Sequence, residues 1–547
     1  MARVALVNLR FCALGMTGDA GDYAVELEFQ AKHSLGLAYL AGALVEAGHE
    51  PVVIDAQAER LTTAEVLERV EQVDPDVIGV SLYQETMPEL IEFLRMLGAR
   101  PQAHVTCGGQ YATFEAERIL ASYPRVDSVV LGEGELTLVE LVNTLPAPEW
   151  LDVPGLCVRR AGAPTRTKRR SLIADLDTLP IPQRSYLRGP IAPDTEVIIS
   201  ASRGCWAKCE FCSIRTFYGQ QQGRSIRIRT PDRVVDEIEH LNREYGVRQF
   251  FFADDDFMVT NLIRGVQLRR GKVSSNWTDR FAAELARREL DISFDIDCRV
   301  DEIDRGTFQT LRAAGLRGVF MGIESFVQRQ LDFMRKDVSV EQNFAAIKLL
   351  HELRITVWMG FIMFDPFTTL AEVRENVAGL DRIHYFRYFN YDRPLSSDFV
   401  ASQLTAYPGT PTVATLRRMC PEHLERTEHG WSWRFVHDET ARFHRALSRW
   451  RPVVNEMIDM DTLRTIRAAN ARADRAQARE LNALSRRYMA LDRETFIGLL
   501  DRVEQGREDE IDDYIEEQRG RWAGLERQIE RARDSSSKTA MDMVQSR

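Results

Sequence analysis

The chain has 547 residues, 44% of them hydrophobic and 28% charged, and carries a net charge of −11. It is too long for one core, so two or three domains are expected, and the acidic balance argues against a nucleic-acid surface. No apolar run of about eighteen residues suggests a membrane span, and MARVALVNLR lacks the apolar core of a secretion signal, so a cytoplasmic protein acting on small molecules or peptides is expected.

The first 145 residues alternate short apolar runs with helical patterns. Strands are predicted over 3–9, 51–55, 77–83, 104–109 and 126–132, with helices over 34–48 and 63–73 and further helical stretches after the later strands. This rhythm predicts a doubly wound, Rossmann-like parallel sheet, whose ligands sit at the carboxyl ends of the strands. The small residues at those ends are Ser81, Gly108, Gly109 and Gly132.

Residues 146–194 hold a run of prolines and the basic string RTKRR, and read as a linker with room for a hairpin around GLCVRR. A second alternating series then begins. Strands are predicted over 195–200, 248–253, 292–298, 318–323 and 355–363, with a sixth over 398–404. The helix over 230–246 has Thr230 as N-cap, Pro231 in its first turn and Gly246 as terminator. The α/β class is therefore extended by a partial (β/α)6 barrel over 195–411, with its site at the carboxyl mouths of the strands. Residues 412–533 read as a helical region, and 534–547 as a disordered tail.

The eight cysteines are Cys12, Cys107, Cys157, Cys205, Cys209, Cys212, Cys298 and Cys420. Five are scattered. The other three lie in RGCWAKCEFCSIRTFYG (203–219) with C-x3-C-x2-C spacing, in a loop after a strand. Thiolates so spaced can hold an iron–sulfur cubane, and three ligands leave a fourth iron open to a small molecule. The alternative is a zinc site or three buried thiols, but zinc sites usually pair C-x2-C with a second pair, which this sequence lacks.

This loop, with Phe211 just before Cys212, resembles the signature of the radical S-adenosylmethionine superfamily. The resemblance implies a [4Fe–4S] cluster on Cys205, Cys209 and Cys212, and S-adenosylmethionine cleaved reductively to methionine and a 5′-deoxyadenosyl radical. It also implies an external electron donor of flavodoxin or ferredoxin type.

Residues near the strand ends extend this expectation. FFADDDF places Asp254, Asp255 and Asp256 together, and such mutually repelling carboxylates suit a cationic group such as the methionine amine; the alternative is a solvated acidic loop. Arg299, in DCRVD, could hold the methionine carboxylate or bridge the acidic loop. Glu324 stands in GIESF, followed by Gln328 and Lys336, a frame resembling the superfamily's fourth strand, which implies a cofactor contact. MFDPFTTLAEV and AYPGTP read as turn and cap segments, with Tyr407 at the expected mouth.

A doubly wound domain ahead of such a barrel resembles the cobalamin-binding (class B type) radical enzymes. The matching segments are HSLGLAYLAGALVEAGHEPVVID, DPDVIGVSLY, VTCGGQYAT and DSVVLGEGELTLVELV. The resemblance implies a 1–145 cobalamin domain in which Ser81, Gly108, Gly109 and Gly132 line the groove, with Gln110 and Tyr111 beside them. No histidine has an aspartate two residues before it, so the D-x-H-x-x-G motif for an axial ligand is missing and cobalamin is expected to bind without one from that motif. The implied activity is methylation of an unactivated carbon in a small-molecule or peptide natural product. Rearrangement, cyclisation or dehydration is the main alternative; a cobalamin sensor and an iron–sulfur electron carrier are others. Trp431, Trp433, His437 and His444 are expected either to cover the barrel mouth or to be core.

Overall fold

A computed structural model describes residues 1–11, 33–98, 103–187, 189, 191–192, 195–262, 277–385, 396, 400–457 and 475–545. It divides into two compact units. One comprises Met1–Val319, Ala406–Met419 and Leu424–Ser432; the other comprises Phe320–Thr405, Cys420–His423 and Trp433–Arg547.

The first unit opens with parallel strands β1 (Arg3–Asn8), β2 (Glu50–Asp55), β3 (Val77–Ser81), β4 (His104–Gly108) and β5 (Ser128–Val130), in the order β2-β1-β3-β4-β5. Apolar runs buried on both faces require helices on both sides. Leu37, Leu44, Leu138 and Leu141 cover one face with Val4 and Leu6. Val66, Leu90, Phe93 and Ile119 cover the other with Ala5 and Val7. The helix ends are set locally: Ser34 Oγ accepts from Leu37 N, and Thr62 and Glu65 form a capping box.

The stretch expected to be a linker contributes to this sheet. Strands β6 (Leu156–Arg160) and β7 (Ala163–Arg166) form the anticipated hairpin, and β6 pairs antiparallel with β5. Val158 and Leu156 are buried against the sheet's core, which draws the hairpin onto the edge.

The barrel portion of this unit contains β8 (Glu196–Ile199), the short β9 (Ser202–Arg203) and β10 (Arg227–Ile228), β11 (Gln249–Phe252) and β12 (Ser293–Cys298). β11 lies between β8 and β12, parallel to both. The intervening helix Pro231–Tyr245 ends at Gly246, whose φ of 73° is the left-handed conformation expected of a helix terminator. Phe252, Phe281 and Phe294 meet edge to face in the core. At the amino ends of the strands, Arg317 bonds Glu196 and Gln249 and reaches Asp295, so charge there serves stability.

β13 (Leu316–Glu324) carries the chain into the second unit, which holds β14 (Thr356–Phe361) and helices including Val340–Glu352, Leu370–Arg382, Asp438–Met457, Arg475–Glu504 and Ile511–Gln545. Its core includes Trp450, Trp522, Phe443 and Phe496. Trp433 and His444 are also core: the Trp433 indole donates to the Leu404 carbonyl, and His444 pairs with Gln403.

Two expectations fail here. The sixth strand does not form over 400–404, where only Gln403 makes a single bridge, to Phe364; residues 397–399 lie outside the described residues. The expected disordered tail continues the last helix as far as Gln545, because 535–545 contains neither proline nor glycine to end it.

Candidate functional site

The carboxyl ends of β3, β4 and β5 open onto a cleft of about 530 Å³. Ser81, Gly108, Gly109, Gln110 and Gly132 all line it. Gly109 has a φ of 97°, and a Cβ there would sit 3.1 Å from the Leu82 carbonyl oxygen, so the turn after β4 needs glycine. A Cβ on Gly132, whose φ is 72°, would run into the Gln221 side chain. Gln110 reaches across the unit, its Oε1 accepting from Ser213 Oγ at 3.0 Å. Tyr111 departs from expectation: it is buried in the core, with its hydroxyl donating to the His429 carbonyl, because it occupies the inward face of the next turn.

The other wall of the cleft comes from the barrel portion, through Ser200, Ser202, Arg203 and Asp255. His33, which the sequence reading passed over, is also in the wall, stacked on Tyr186 and with Nδ1 3.8 Å from Asp55 Oδ2.

β9 delivers the chain to the cysteine loop. Gly204 has a φ of 94°, and its Cβ position is blocked by the Ser225 carbonyl. Cys205 Sγ lies 3.8 Å from Asp256 Oδ2 and accepts from Ala207 N at 3.4 Å. Burial, then Asp256 and the other two thiols, push the Cys205 thiol up to about 12. Cys209 is buried, with its Sγ 3.4 Å from Arg299 Nη1, and Cys212 N donates to the Cys209 carbonyl. Thr412 closes over the loop, its N and Oγ1 both bonded to the Glu210 carbonyl.

The three adjacent aspartates separate into different environments. Asp254 is buried, accepts from Ala201 N and from Ser202 Oγ, and is pushed up to about 7 by burial; these bonds fix the β8–β9 turn. Asp255 accepts from Gly204 N at 2.7 Å and faces the cleft. Asp256 lies beside Cys205 and Glu302, and burial and that second carboxylate push it up to about 9. Glu302 is itself held by Trp206 Nε1 at 2.8 Å, and the Arg299 guanidinium lies over the Trp206 ring. Arg299 bonds Asp301 through Nε at 2.9 Å, and its charge also bears on Asp256. Glu302 and Trp206 were missed; Glu302 was in reach, three residues beyond Arg299 on the same strand end.

In the second unit, Glu324 ends β13 with a φ of 61°, and its Oε1 accepts from Lys336 Nζ at 2.7 Å, both side chains buried. Gly322 of β13 leaves room for the pair, since a Cβ there would run into Glu324 Oε1 and Lys336 Nζ. In the turn segments, Asp365 Oδ1 accepts from Phe367 N, Thr410 N bonds the Tyr407 carbonyl, and the Tyr407 hydroxyl donates to Glu85.

Three thiols on one loop with an arginine at hand suit a cubane that is anionic with its sulfur ligands. The glycine-walled cleft suits a bulky planar cofactor that must approach backbone closely, and the Asp256–Glu302 pair suits an ammonium group.

Comparison with known proteins agrees with this chemistry. Residues 29–142 match the B12 binding domain and residues 199–378 match the radical SAM superfamily. An uncharacterized methyltransferase of Pyrococcus horikoshii is 28% identical over 69% of this chain and 76% of its own length. The anaerobic magnesium-protoporphyrin IX monomethyl ester cyclase of Cereibacter sphaeroides is 29% identical over 70% of this chain, which spans 60% of that protein. Among solved structures, the cobalamin-dependent S-adenosylmethionine radical enzyme OxsB, with aqua-cobalamin and S-adenosylmethionine bound, shares the fold with a TM-score of 0.71 at 18% identity, covering 98% of this chain and 81% of that one. The two domains bring a [4Fe–4S] cluster, S-adenosylmethionine and cobalamin as cofactors. With both domains in one polypeptide, the chain has the domain make-up of the cobalamin-binding radical S-adenosylmethionine enzymes.

Proposed function

We propose that this enzyme is a methyltransferase that acts on an unactivated carbon of a small-molecule or peptide natural product. The observation that carries the reading is that one wall serves both sites: Arg203 and Asp255 line the cleft, while Asp255 holds Gly204, the residue before Cys205. A radical generated at the cysteine loop and a methyl group held in the cleft would then be close enough to act on one substrate carbon.

When bound, the cluster with S-adenosylmethionine supplies a 5′-deoxyadenosyl radical, and the corrin supplies a transferable methyl group. The protein's own residues hold and orient. Cys205, Cys209 and Cys212 would hold the cluster as thiolates. Asp256 and Glu302 would receive the methionine ammonium. Arg299 offers a guanidinium to the methionine carboxylate, and Glu324, held by Lys336, contacts the nucleoside. Ser81, Gly108, Gly109, Gln110 and Gly132 form the corrin groove. A one-electron donor of flavodoxin or ferredoxin type supplies the reductant, and the setting is cytoplasmic.

Products decide the matter. A methyltransferase of this kind forms S-adenosylhomocysteine alongside 5′-deoxyadenosine; 5′-deoxyadenosine alone would contradict the reading. A second reading, cyclisation or rearrangement with the corrin used otherwise, is favoured by the similarity to the cyclase, and it predicts that second result.

A further inference from the structure

We propose that Glu133 is a positioning residue that couples the corrin cleft to the cysteine loop, so that filling one site changes the other. This rests on the cofactor assignment above. Glu133 follows Gly132 in the cleft wall and is 7% exposed. Its backbone N–H donates to Gln221 Oε1 at 2.7 Å, which holds the turn in place. Its carboxylate accepts from Arg203 Nη1 at 2.8 Å, from Arg227 Nη1 at 2.8 and 2.7 Å, and from Ile173 N at 2.9 Å. Glu135 takes the remaining Arg203 amino group at 2.6 Å.

Arg203 and Arg227 are direct partners in the β9–β10 ladder, and Arg203 lies two residues before Cys205. Two guanidiniums thus face two carboxylates in a neutral, largely buried island that fixes the strand leading into the cysteines. The island extends on both sides. Arg203 lies over the Tyr39 ring and Arg227 over the Tyr218 ring, and Tyr218 bonds Asp255, which holds Gly204.

Tyr39, Glu133, Arg203, Tyr218 and Asp255 all line the cleft. An occupant of the cleft therefore touches the same side chains that set the entry to the cysteine loop. Buried paired charges have few alternative arrangements, because each move strands a partner. A displacement on the cleft side is transmitted to Cys205 and not absorbed, and coupling between two binding sites must be reciprocal.

The test uses the reconstituted full chain, with and without hydroxocobalamin. The affinity for S-adenosylmethionine is read from its perturbation of the reduced cluster's electron paramagnetic resonance signal. Loading wild-type protein with hydroxocobalamin should change that affinity by about fivefold or more. Glu133→Gln, compared with wild type at equal iron and corrin loading, should lose most of the change. Arg203→Lys, which keeps the charge but cannot hold both Glu133 and Glu135, should lose it too and serves if the first variant fails to load. Equal responses in wild type and variants, or no response in corrin-loaded wild type, would overturn the coupling alone. A wild type that binds no corrin would overturn the cofactor assignment and the coupling with it.

Discussion

Ser213, the residue after Cys212, donates its hydroxyl to Gln110, the first residue of the helix after β4, at 3.0 Å. One hydrogen bond thereby joins the turn that shapes the cleft to the cysteine loop. Such a bond contributes about 1 kcal/mol. Ser213→Ala should weaken hydroxocobalamin binding by about fivefold, and Gln110→Ala by at least as much. Because the two share one interaction, the double variant should be no worse than Gln110→Ala, which equilibrium dialysis of the three proteins will show.

The cysteine loop gives the sharpest loss. Alanine at Cys205, Cys209 or Cys212 should each reduce reconstituted iron to below about a tenth of wild type and abolish 5′-deoxyadenosine formation. Cys157→Ala, at a buried thiol in β6, should retain full iron content. Iron analysis with product chromatography distinguishes the two sets.

Much of this arrangement was legible in the sequence, for identifiable reasons. Buried parallel strands must be apolar and need crossover helices, so the alternation of runs located β1 to β5, β8 and β11 to β14, while the short antiparallel β9 and β10 left no such pattern. The cysteine spacing singled out the loop after β9, and the small residues at the strand ends marked the cleft. The aspartate triplet was harder, because neighbouring strand-end residues point in different directions: Asp254 turns inward to Ser202, Asp255 toward Gly204, and only Asp256 toward Cys205. Tyr111 looked like a cleft residue and is core because it lies one turn position inward. Glu133 carried no local signal at all, since its importance comes from Arg203 and Arg227, which are distant in sequence.

Asp254 gives stability a dependence on pH. Its folded-state pKa is raised to about 7 from 3.8, so below the lower value both states hold the proton and no penalty exists. The folded state loses stability as pH rises between them, by up to about 4 kcal/mol at full ionisation. Asp254→Asn keeps an acceptor for Ala201 and removes the ionisation. Its unfolding midpoint should match wild type near pH 4 and exceed it increasingly up to pH about 7.5, as thermal scans of the metal-free protein will report.

Lys336 and Glu324 form a buried ion pair, with 6% and 8% side-chain exposure. Lys336→Met strands the carboxylate and should cost about 3–5 kcal/mol. Adding Glu324→Gln should restore most of the stability, while 5′-deoxyadenosine formation stays impaired if Glu324 contacts the nucleoside. Denaturant unfolding and product assays on the single and double variants measure the two effects separately.

The most direct test of methyl transfer needs no substrate. Reduced, cobalamin-loaded protein is mixed anaerobically with S-adenosylmethionine bearing a trideuterated methyl group, and the bound corrin is extracted and weighed by mass spectrometry. Methyl transfer yields a trideuteromethylated corrin and one equivalent of S-adenosylhomocysteine per corrin. An unlabelled corrin accompanied by 5′-deoxyadenosine would contradict it.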